Sequence, residues 1–129
     1  KTLRFAVLFA SSRGFSLEKS GVNTAHMLTR LGGRNIVTER GNGRIPFSFE
    51  RFLLEDPEII FIITMGATEK IQRKVTEELM KQPAWKQLGA AKRNRVYFLP
   101  VELYLYLPGT RFPEAFRGLA QRMYPGEEW

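Results

Sequence analysis

The sequence predicts an α/β fold of three layers, in which a mainly parallel central sheet lies between helices. The main observation is the apolar run at residues 59–64, where six β-favouring residues follow one another without alternation. Such a run is typical of a strand covered on both faces. Segments with strand and helix patterns also alternate along the chain, which favours parallel βα units. The length of 129 residues fits one domain.

The first half of the chain supplies two strands and one helix. Residues 3–9 read as a strand and lead into a polar, flexible loop at residues 11–14. Apolar residues then recur at helical spacing from Val22 to Leu31, and a glycine pair provides the left-handed C-cap that ends this helix. Residues 35–37 predict a short edge strand, and the glycines and proline of residues 40–46 predict a loop.

The second half begins with a capped helical turn. Ser48 is expected to cap a short helix that ends at Asp56, because the residue before a proline is disfavoured in the α region. After the apolar run, Ile71, Val75 and Leu79 predict an amphipathic helix that Pro83 stops. The remaining predicted elements are a solvated basic turn at residues 92–95, a strand at 96–99 and a C-terminal helix at 112–123 whose apolar face must dock.

The composition restricts the function without deciding it. Twenty Lys and Arg residues against 13 Asp and Glu give a formal charge of +7, which suits an acidic ligand, nucleic acid or an anionic membrane surface. It also suits an ordinary solvated surface, since small domains carry net charges of about 2 to 8. The absence of cysteine excludes disulfide and thiolate chemistry. No apolar stretch approaches the roughly 20 residues of a membrane span.

Signatures of catalysis are weak. The sequence has no phosphate-binding G-x-x-x-x-G-K-[ST] or G-x-G-x-x-G motif. Its single histidine, His26, lies at the edge of an apolar helix face without a second metal ligand three or four residues away. The adjacent carboxylates at residues 77–78 and 127–128 fit a helix surface and a terminal tail better than acid–base catalysis. We therefore expect a binding protein with no catalytic residues and no metal centre of its own.

Three loops follow predicted strands at their carboxyl ends, at residues 11–15, 65–68 and 101–106. Open α/β sheets place their ligands at this edge. Tyrosine and arginine in these loops suit a ligand with a flat apolar surface and some negative charge. For Tyr97, packing at the core edge is an equally good explanation.

Short motifs occur in an order that resembles a known family. They are Leu31-Gly32-Gly33-Arg34-Asn35-Ile36, Phe47-Ser48-Phe49-Glu50, Asp56-Pro57-Glu58-Ile59-Ile60, Trp85-Lys86-Gln87-Leu88-Gly89-Ala90, Asn94-Arg95-Val96-Tyr97 and Pro108-Gly109-Thr110-Arg111. Together they resemble the C-terminal lobe of the periplasmic binding proteins that serve ABC importers of iron-siderophores, haem and cobalamin. The resemblance covers nearly the whole chain.

This resemblance implies a function, partners and a location. The family has two lobes bridged by a long helix, so residues 1–129 are expected to be one Rossmann-like C-terminal lobe without its N-terminal lobe and linking helix. The implied function is to capture a metal chelate and deliver it to ABC permease subunits, with no nucleic acid involved and no cofactor besides the ligand. The implied location is extracytoplasmic, in the periplasm or on a cell-surface lipoprotein. Because the chain starts Lys1-Thr2-Leu3-Arg4, without Met or a signal sequence, we expect a longer parent protein that carries any secretion signal or anchor.

The resemblance also assigns residues. Glu50 matches the glutamate that docks against permease arginines, and Tyr104 lies where a pocket aromatic is common. Arg44 lies in the loop where some cobalamin binders place a ligand-facing tryptophan, so that specificity is not carried over. With the loop residues, the predicted ligand contacts are Ser12, Arg13, Arg44, Met65, Gly66, Tyr104 and Tyr106.

Two other functions remain open at this point. One is a standalone α/β enzyme with its active site in the same loops, which should bind a nucleotide if it resembles a dehydrogenase. The other is a basic module that binds nucleic acid or a protein partner, and its nucleic-acid affinity should fall steeply with salt.

Overall fold

The computed structural model describes residues 3–19, 23–39, 41, 43–65, 68–99 and 112–125. The strands among them are β1 (Arg4–Ser11), β2 (Gly14–Glu18), β3 (Arg34–Asn35), β4 (Arg44–Pro46), β5 (Ile59–Thr64) and β6 (Val96–Leu99). The α-helices are α1 (Asn23–Arg30), α2 (Phe49–Glu55), α3 (Thr68–Val75), α4 (Pro83–Lys86), α5 (Gly89–Lys92) and α6 (Phe112–Met123), and a π-helical segment (Thr76–Met80) directly continues α3. Within the described ranges, no helix combines the length and apolarity needed to cross a membrane.

The sheet is built around β1 and β5. Its strand order is β4-β2-β1-β5-β6, and β3 pairs with the beginning of β1. β5 runs parallel to both of its neighbours, with Ile60 opposite Ala6 of β1 and Ile62 opposite Phe98 of β6. All six residues of β5 are buried, because this central strand is covered on both faces. The predicted α/β fold with a mainly parallel sheet is confirmed.

Two strands on one side of the sheet were not predicted. The expected flexible loop at residues 11–14 is a tight hairpin, in which Ser11 pairs with Gly14 and the chain returns antiparallel to β1. The expected loop at residues 40–46 contains β4, which pairs antiparallel with β2. Both strands are short, and Pro46 lies on an edge strand, where a missing N–H is tolerated. In both segments the turn residues are the stronger local signal, which is why the sequence predicts loops there.

The two faces of the sheet carry different helices. One core cluster packs under α2 and α3 and includes Leu8, Phe52, Ile60, Ile62, Ile71 and Val75. The other packs under α1 and α6 and includes Phe5, Val7, Leu28, Phe61, Leu119 and Met123. Successive residues of β1 and β5 alternate between these clusters, as the period of a strand requires. The result is the three-layer arrangement that the sequence predicted.

Helix α6 docks against the end of α1, as its apolar face predicted. Gly32 ends α1 with a φ of 93°, which is the left-handed cap expected at this position. A Cβ on Gly33 would lie 2.7 Å from Cε of Met123, so this glycine permits the close approach of α6. Tyr124 donates a hydrogen bond of 2.9 Å to the carbonyl of Leu31, and Arg95 donates to the carbonyl of Met123 at 3.0 Å.

Helix α2 has the predicted boundaries. The Oγ of Ser48 accepts a hydrogen bond from the amide of Arg51 at 3.3 Å, and Asp56 leaves the helix in the left-handed region with a φ of 45°. The Asp56 carboxylate also accepts a hydrogen bond of 2.8 Å from the amide of Gly89. The end of α2 is therefore tied to the first residue of α5.

Pro83 does more than the predicted stop. The preceding helix ends at its π-helical segment, and Pro83 occupies the start of α4, where the missing N–H of proline is not needed. The predicted basic turn is largely correct, since residues 92–94 are exposed. Its last member, Arg95, is instead half-buried at the C-terminal end of α6.

Candidate ligand-binding site

The carboxyl edge of the sheet brings three of the predicted residues to one side of the molecule. Because β1 and β5 are parallel, Ser11 and Thr64 end at the same edge. The hairpin turn of Ser12 and Arg13 follows β1, and Met65 follows β5. The Met65 amide donates a hydrogen bond of 2.8 Å to the carbonyl of Ala10, and its side chain is 47% exposed.

Arg13 and Arg44 line one pocket of about 270 Å³. We call it the Arg44 pocket; its lining residues are Phe9, Ser11, Arg13, Gly14, Phe15, Ser16 and Arg44. It combines two guanidinium groups, two aromatic rings and two hydroxyl groups. Arg13 and Arg44 were both predicted as ligand contacts, and the structure places them in the same pocket.

The guanidinium of Arg44 is held from two sides. Its Cζ lies 4.0 Å from the centroid of the Phe9 ring, which is a cation–π contact. Its Nη2 lies 3.8 Å from Oε2 of Glu18, and the Arg44 side chain remains one-third exposed. A guanidinium has five N–H donors in a planar fork, so Arg44 keeps donors for an anionic group in the pocket.

Glu18 is a functional candidate that the sequence reasoning missed. It is only 2% exposed, and its Oε1 accepts a hydrogen bond of 3.4 Å from the amide of Ala25 in the first turn of α1. Burial raises the pKa of Glu18 to about 7, against the opposing effects of Arg44 and of the Ala25 amide. The alternation of Phe15 and Leu17 with polar neighbours would have placed Glu18 on a solvent face. In the structure α1 lies against it, with the Ala25 amide on its carboxylate, and it is buried.

Ser12 faces a different pocket from its neighbour Arg13. This second pocket, of about 350 Å³, lies along α3 and is lined by Ser12, Lys70, Ile71, Arg73, Lys74, Glu77 and Glu78. Nζ of Lys74 donates to the carbonyl of Ser12 at 3.3 Å and lies 5.7 Å from the centroid of the Phe15 ring. The Lys74 ammonium therefore links the hairpin turn to α3. The turn lies between this second pocket and the Arg44 pocket, and both pockets contain basic side chains.

Glu50 lies apart from these residues. It is exposed in the first turn of α2 and lines a third pocket of about 330 Å³, with Ile36, Thr38, Ser48, Arg51, Leu54 and Glu55. None of these residues lines the Arg44 pocket. Leu54, one helical turn after Glu50, is 80% exposed.

The neighbouring arginine does not neutralise Glu50. Both terminal nitrogens of Arg51 donate to the carboxylate of Glu39, at 2.7 and 2.9 Å. This hydrogen bonding lowers the pKa of Glu39 to about 2. Among the described residues Glu50 forms no ion pair, and Arg51 is engaged by Glu39.

Three predicted ligand contacts, Gly66, Tyr104 and Tyr106, lie outside the described residues. Tyr97 stacks on Phe61 with ring centroids 5.9 Å apart and packs against the core, in agreement with a structural role. Across the described parts of the chain, no group of three or more His, Cys, Asp or Glu side chains could hold a metal ion.

Comparison with curated proteins identifies relatives described as heme uptake proteins. The chain is 29% identical over 68 residues to the high-affinity heme uptake system protein IsdE of Staphylococcus aureus, strain MRSA252. That match includes 53% of this chain and 23% of the relative. The match therefore spans less than a quarter of the length of this curated relative.

Solved structures share the fold at low sequence identity. The IsdE structure in complex with heme superposes with a TM-score of 0.86 at 20% identity, over 96% of this chain and 48% of that chain. An ABC transporter substrate-binding protein from Listeria monocytogenes EGD-e gives 0.83 at 21% identity, with the same coverage. A periplasmic heme-binding protein from Pseudomonas aeruginosa gives 0.75 at 21% identity, over 98% of this chain and 44% of that chain.

The family model described as "Periplasmic binding protein" matches residues 1–103, which is more than half of the chain. The fold and the solved structures agree with this match. The predicted family is thus confirmed, and the chain belongs to the periplasmic binding protein family.

Proposed function

We propose that this chain is the C-terminal lobe of the substrate-binding component of an ABC importer. In this proposal the lobe forms one wall of a cleft, captures an iron-siderophore, haem or cobalamin-type metal chelate together with the N-terminal lobe, and delivers it to membrane permease subunits. The family match carries the proposal. It supports a binding role over the enzyme alternative, and an extracytoplasmic location follows from the same function.

Haem is the first ligand to test. The curated relatives are heme uptake proteins, and two of the similar structures are of heme-binding proteins. The Arg44 pocket supports this choice, because its aromatic rings suit a flat apolar macrocycle and its two guanidinium groups suit carboxylates such as the haem propionates. The exposed thioether of Met65 offers a further apolar contact at the same edge.

Ligand binding by the chain alone and by its two-lobed parent tests the proposal. We expect haemin, among a panel with ferric siderophores and cobalamin, to bind the parent much more tightly than the 129-residue chain. One wall of a cleft buries much less of the ligand than two walls do, and excludes less water. Calorimetry measures both affinities. Equally tight binding by the chain alone would contradict the two-lobed arrangement, and no binding of any chelate to the parent would contradict the function.

Variants of the parent test the individual contacts. Arg44→Met should weaken haemin binding, whereas Arg93→Met, in the exposed turn before β6, should not. Tyr104→Ala should weaken binding by about 1–3 kcal/mol if its ring packs on the ligand. Unchanged affinity with lowered stability would instead place Tyr104 in the core.

Glu50 is proposed as the permease-docking residue. The support is its exposed position on a capped helix beside the exposed Leu54, with Arg51 already engaged by Glu39. A rigid carboxylate next to an apolar side chain suits a permease surface that presents an arginine and an apolar residue.

A further inference from the structure

Glu18 lies directly behind the guanidinium that lines the Arg44 pocket. The carboxylate is 2% exposed, whereas the Arg44 side chain is one-third exposed. Arg44 therefore connects a buried negative charge to a pocket that opens to solvent. The ligand-facing role proposed above does not account for Glu18.

The ion pair between Arg44 and Glu18 is long enough for another carboxylate to replace Glu18 as the partner of Arg44. The distance of 3.8 Å between Nη2 of Arg44 and Oε2 of Glu18 is longer than the 2.7–3.2 Å of an N–H···O hydrogen bond. A carboxylate that enters from the pocket side can form shorter, bidentate hydrogen bonds with the same guanidinium. The incoming group would then be a stronger partner for Arg44 than Glu18 is.

We propose that Glu18 is the resident counter-charge of Arg44, and that a carboxylate entering the Arg44 pocket takes over the guanidinium while Glu18 takes up a proton. The proton comes from the solvent, and the negative charge of the incoming carboxylate replaces that of Glu18. The net charge of the site is therefore the same before and after binding. This inference rests on the ligand-facing role proposed for Arg44.

The groups around Glu18 explain why it would take up a proton. The first turn of α1 contributes the amide of Ala25 and no acidic side chain. On β3, Asn35 is uncharged and donates from Nδ2 to the backbone carbonyl of Glu18 at 2.9 Å. Phe9 of β1 is apolar. Lys19, the next residue, is half-buried, and among the described residues Arg44 is the cation that pairs with Glu18.

A buried carboxylate that loses its cation is costly, and protonation removes this cost. His26 of α1 is exposed, so it does not replace Arg44 as a buried partner. The pKa of Glu18 is already raised to about 7. Loss of Arg44 to a ligand would raise it further, so proton uptake would occur near neutral pH.

A small carboxylate tests this inference without a chelate. Benzoate is the probe and benzamide, which has the same ring without the charge, is the control. In the 129-residue chain, carbon-13 NMR of the Glu18 side-chain carboxyl gives its titration midpoint. We expect benzoate to raise the midpoint and benzamide to leave it unchanged. An unchanged midpoint up to the highest benzoate concentration would overturn the inference.

The variants Arg44→Met and Glu18→Gln test the two members of the ion pair separately. Arg44→Met should raise the Glu18 midpoint by itself and abolish the response to benzoate. Benzoate affinity of the unmodified chain should fall by up to about tenfold per pH unit above the Glu18 midpoint, whereas in Glu18→Gln it should not depend on pH. The same pH dependence in Glu18→Gln would overturn the inference.

The proposed function and this inference are contradicted by different results. If Glu18 responds to benzoate but the parent binds no chelate, the inference stands and the function is wrong. If haemin binding depends on Arg44 but Glu18 does not respond to benzoate, the function stands and the inference is wrong.

Discussion

Lys74 donates a hydrogen bond of 3.3 Å to the backbone carbonyl of Ser12, a residue 62 positions earlier in the chain. The contact fastens the hairpin turn at the carboxyl edge of the sheet to helix α3. Since Arg13 belongs to the same turn and lines the Arg44 pocket, this hydrogen bond helps to position a predicted ligand contact.

Replacement of Lys74 by methionine should loosen the hairpin turn. Lys74→Met removes the hydrogen bond but keeps the apolar stem, and a contact at this exposed position contributes about 0.2–1 kcal/mol to stability. We expect faster amide hydrogen exchange at Arg13 and Gly14. Lys70→Met, on the exposed side of α3, removes the same charge and should leave that exchange unchanged. Equal exchange rates in the two variants would show that the contact does not hold the turn.

Glu18 should make stability depend on pH. Its pKa is about 7 in the folded chain and 4.5 as the ordinary value. Between pH 4.5 and about 7 the Glu18 side chain keeps its proton in the folded state and releases it in the unfolded state. The contribution of protonated Glu18 to stability is therefore complete below pH 4.5 and is lost as the pH rises through about 7. Glu18→Gln cannot ionise and should not show this loss.

Urea denaturation of the unmodified chain and of Glu18→Gln measures how the free energy of unfolding changes with pH. Below pH 4.5 their free energies of unfolding should be similar. Above pH 7 the Gln variant should be more stable by up to about 3 kcal/mol, and this figure already includes the attraction between Arg44 and the Glu18 carboxylate. A constant difference between the two proteins at all pH values would contradict the raised pKa.

Phe52 should be the main anchor of α2. It is fully buried, and its ring centroid lies 4.8 Å from that of Phe47 and 6.2 Å from that of Trp85. Phe52→Ala should therefore lower the free energy of unfolding by about 3–5 kcal/mol. Leu54→Ala, on the same helix but 80% exposed, should change it by less than about 0.5 kcal/mol. Comparable losses in chemical denaturation would mean that α2 is not anchored through its buried face.

Glu50 should affect transport and not ligand affinity. In the two-lobed parent, Glu50→Ala is expected to slow uptake, and Glu50→Arg should slow it more, because like charges would meet at the permease. The matched control is Glu69→Arg, which changes an acidic residue in the first turn of α3. Uptake assays and ligand affinity are measured on the same variants. If folded, ligand-bound Glu50→Arg protein supports normal uptake, Glu50 does not dock the permease and is only a surface charge near the start of α2.

The sequence alone determined the layers of the fold. The continuous apolar run of β5 shows that both faces of the central strand are covered, and periodicity in α1, α3 and α6 shows which faces of the helices are buried. Local rules also placed the Ser48 cap and the helix end at Gly32 correctly. These features depend on short-range chemistry, which a single segment already contains.

Only the tertiary structure decided the sheet edge and the Arg44 pocket. The chain reverses at Ser12 and Arg13, and β2 forms because it pairs with β1. β4 forms in a segment rich in turn residues because it pairs with β2. This pairing carries Arg44 over Phe9, and the crossing of α1 buries Glu18 behind it. The burial of a charged side chain depends on which distant groups exclude water from it. The residues next to Glu18 in the sequence therefore do not predict its burial.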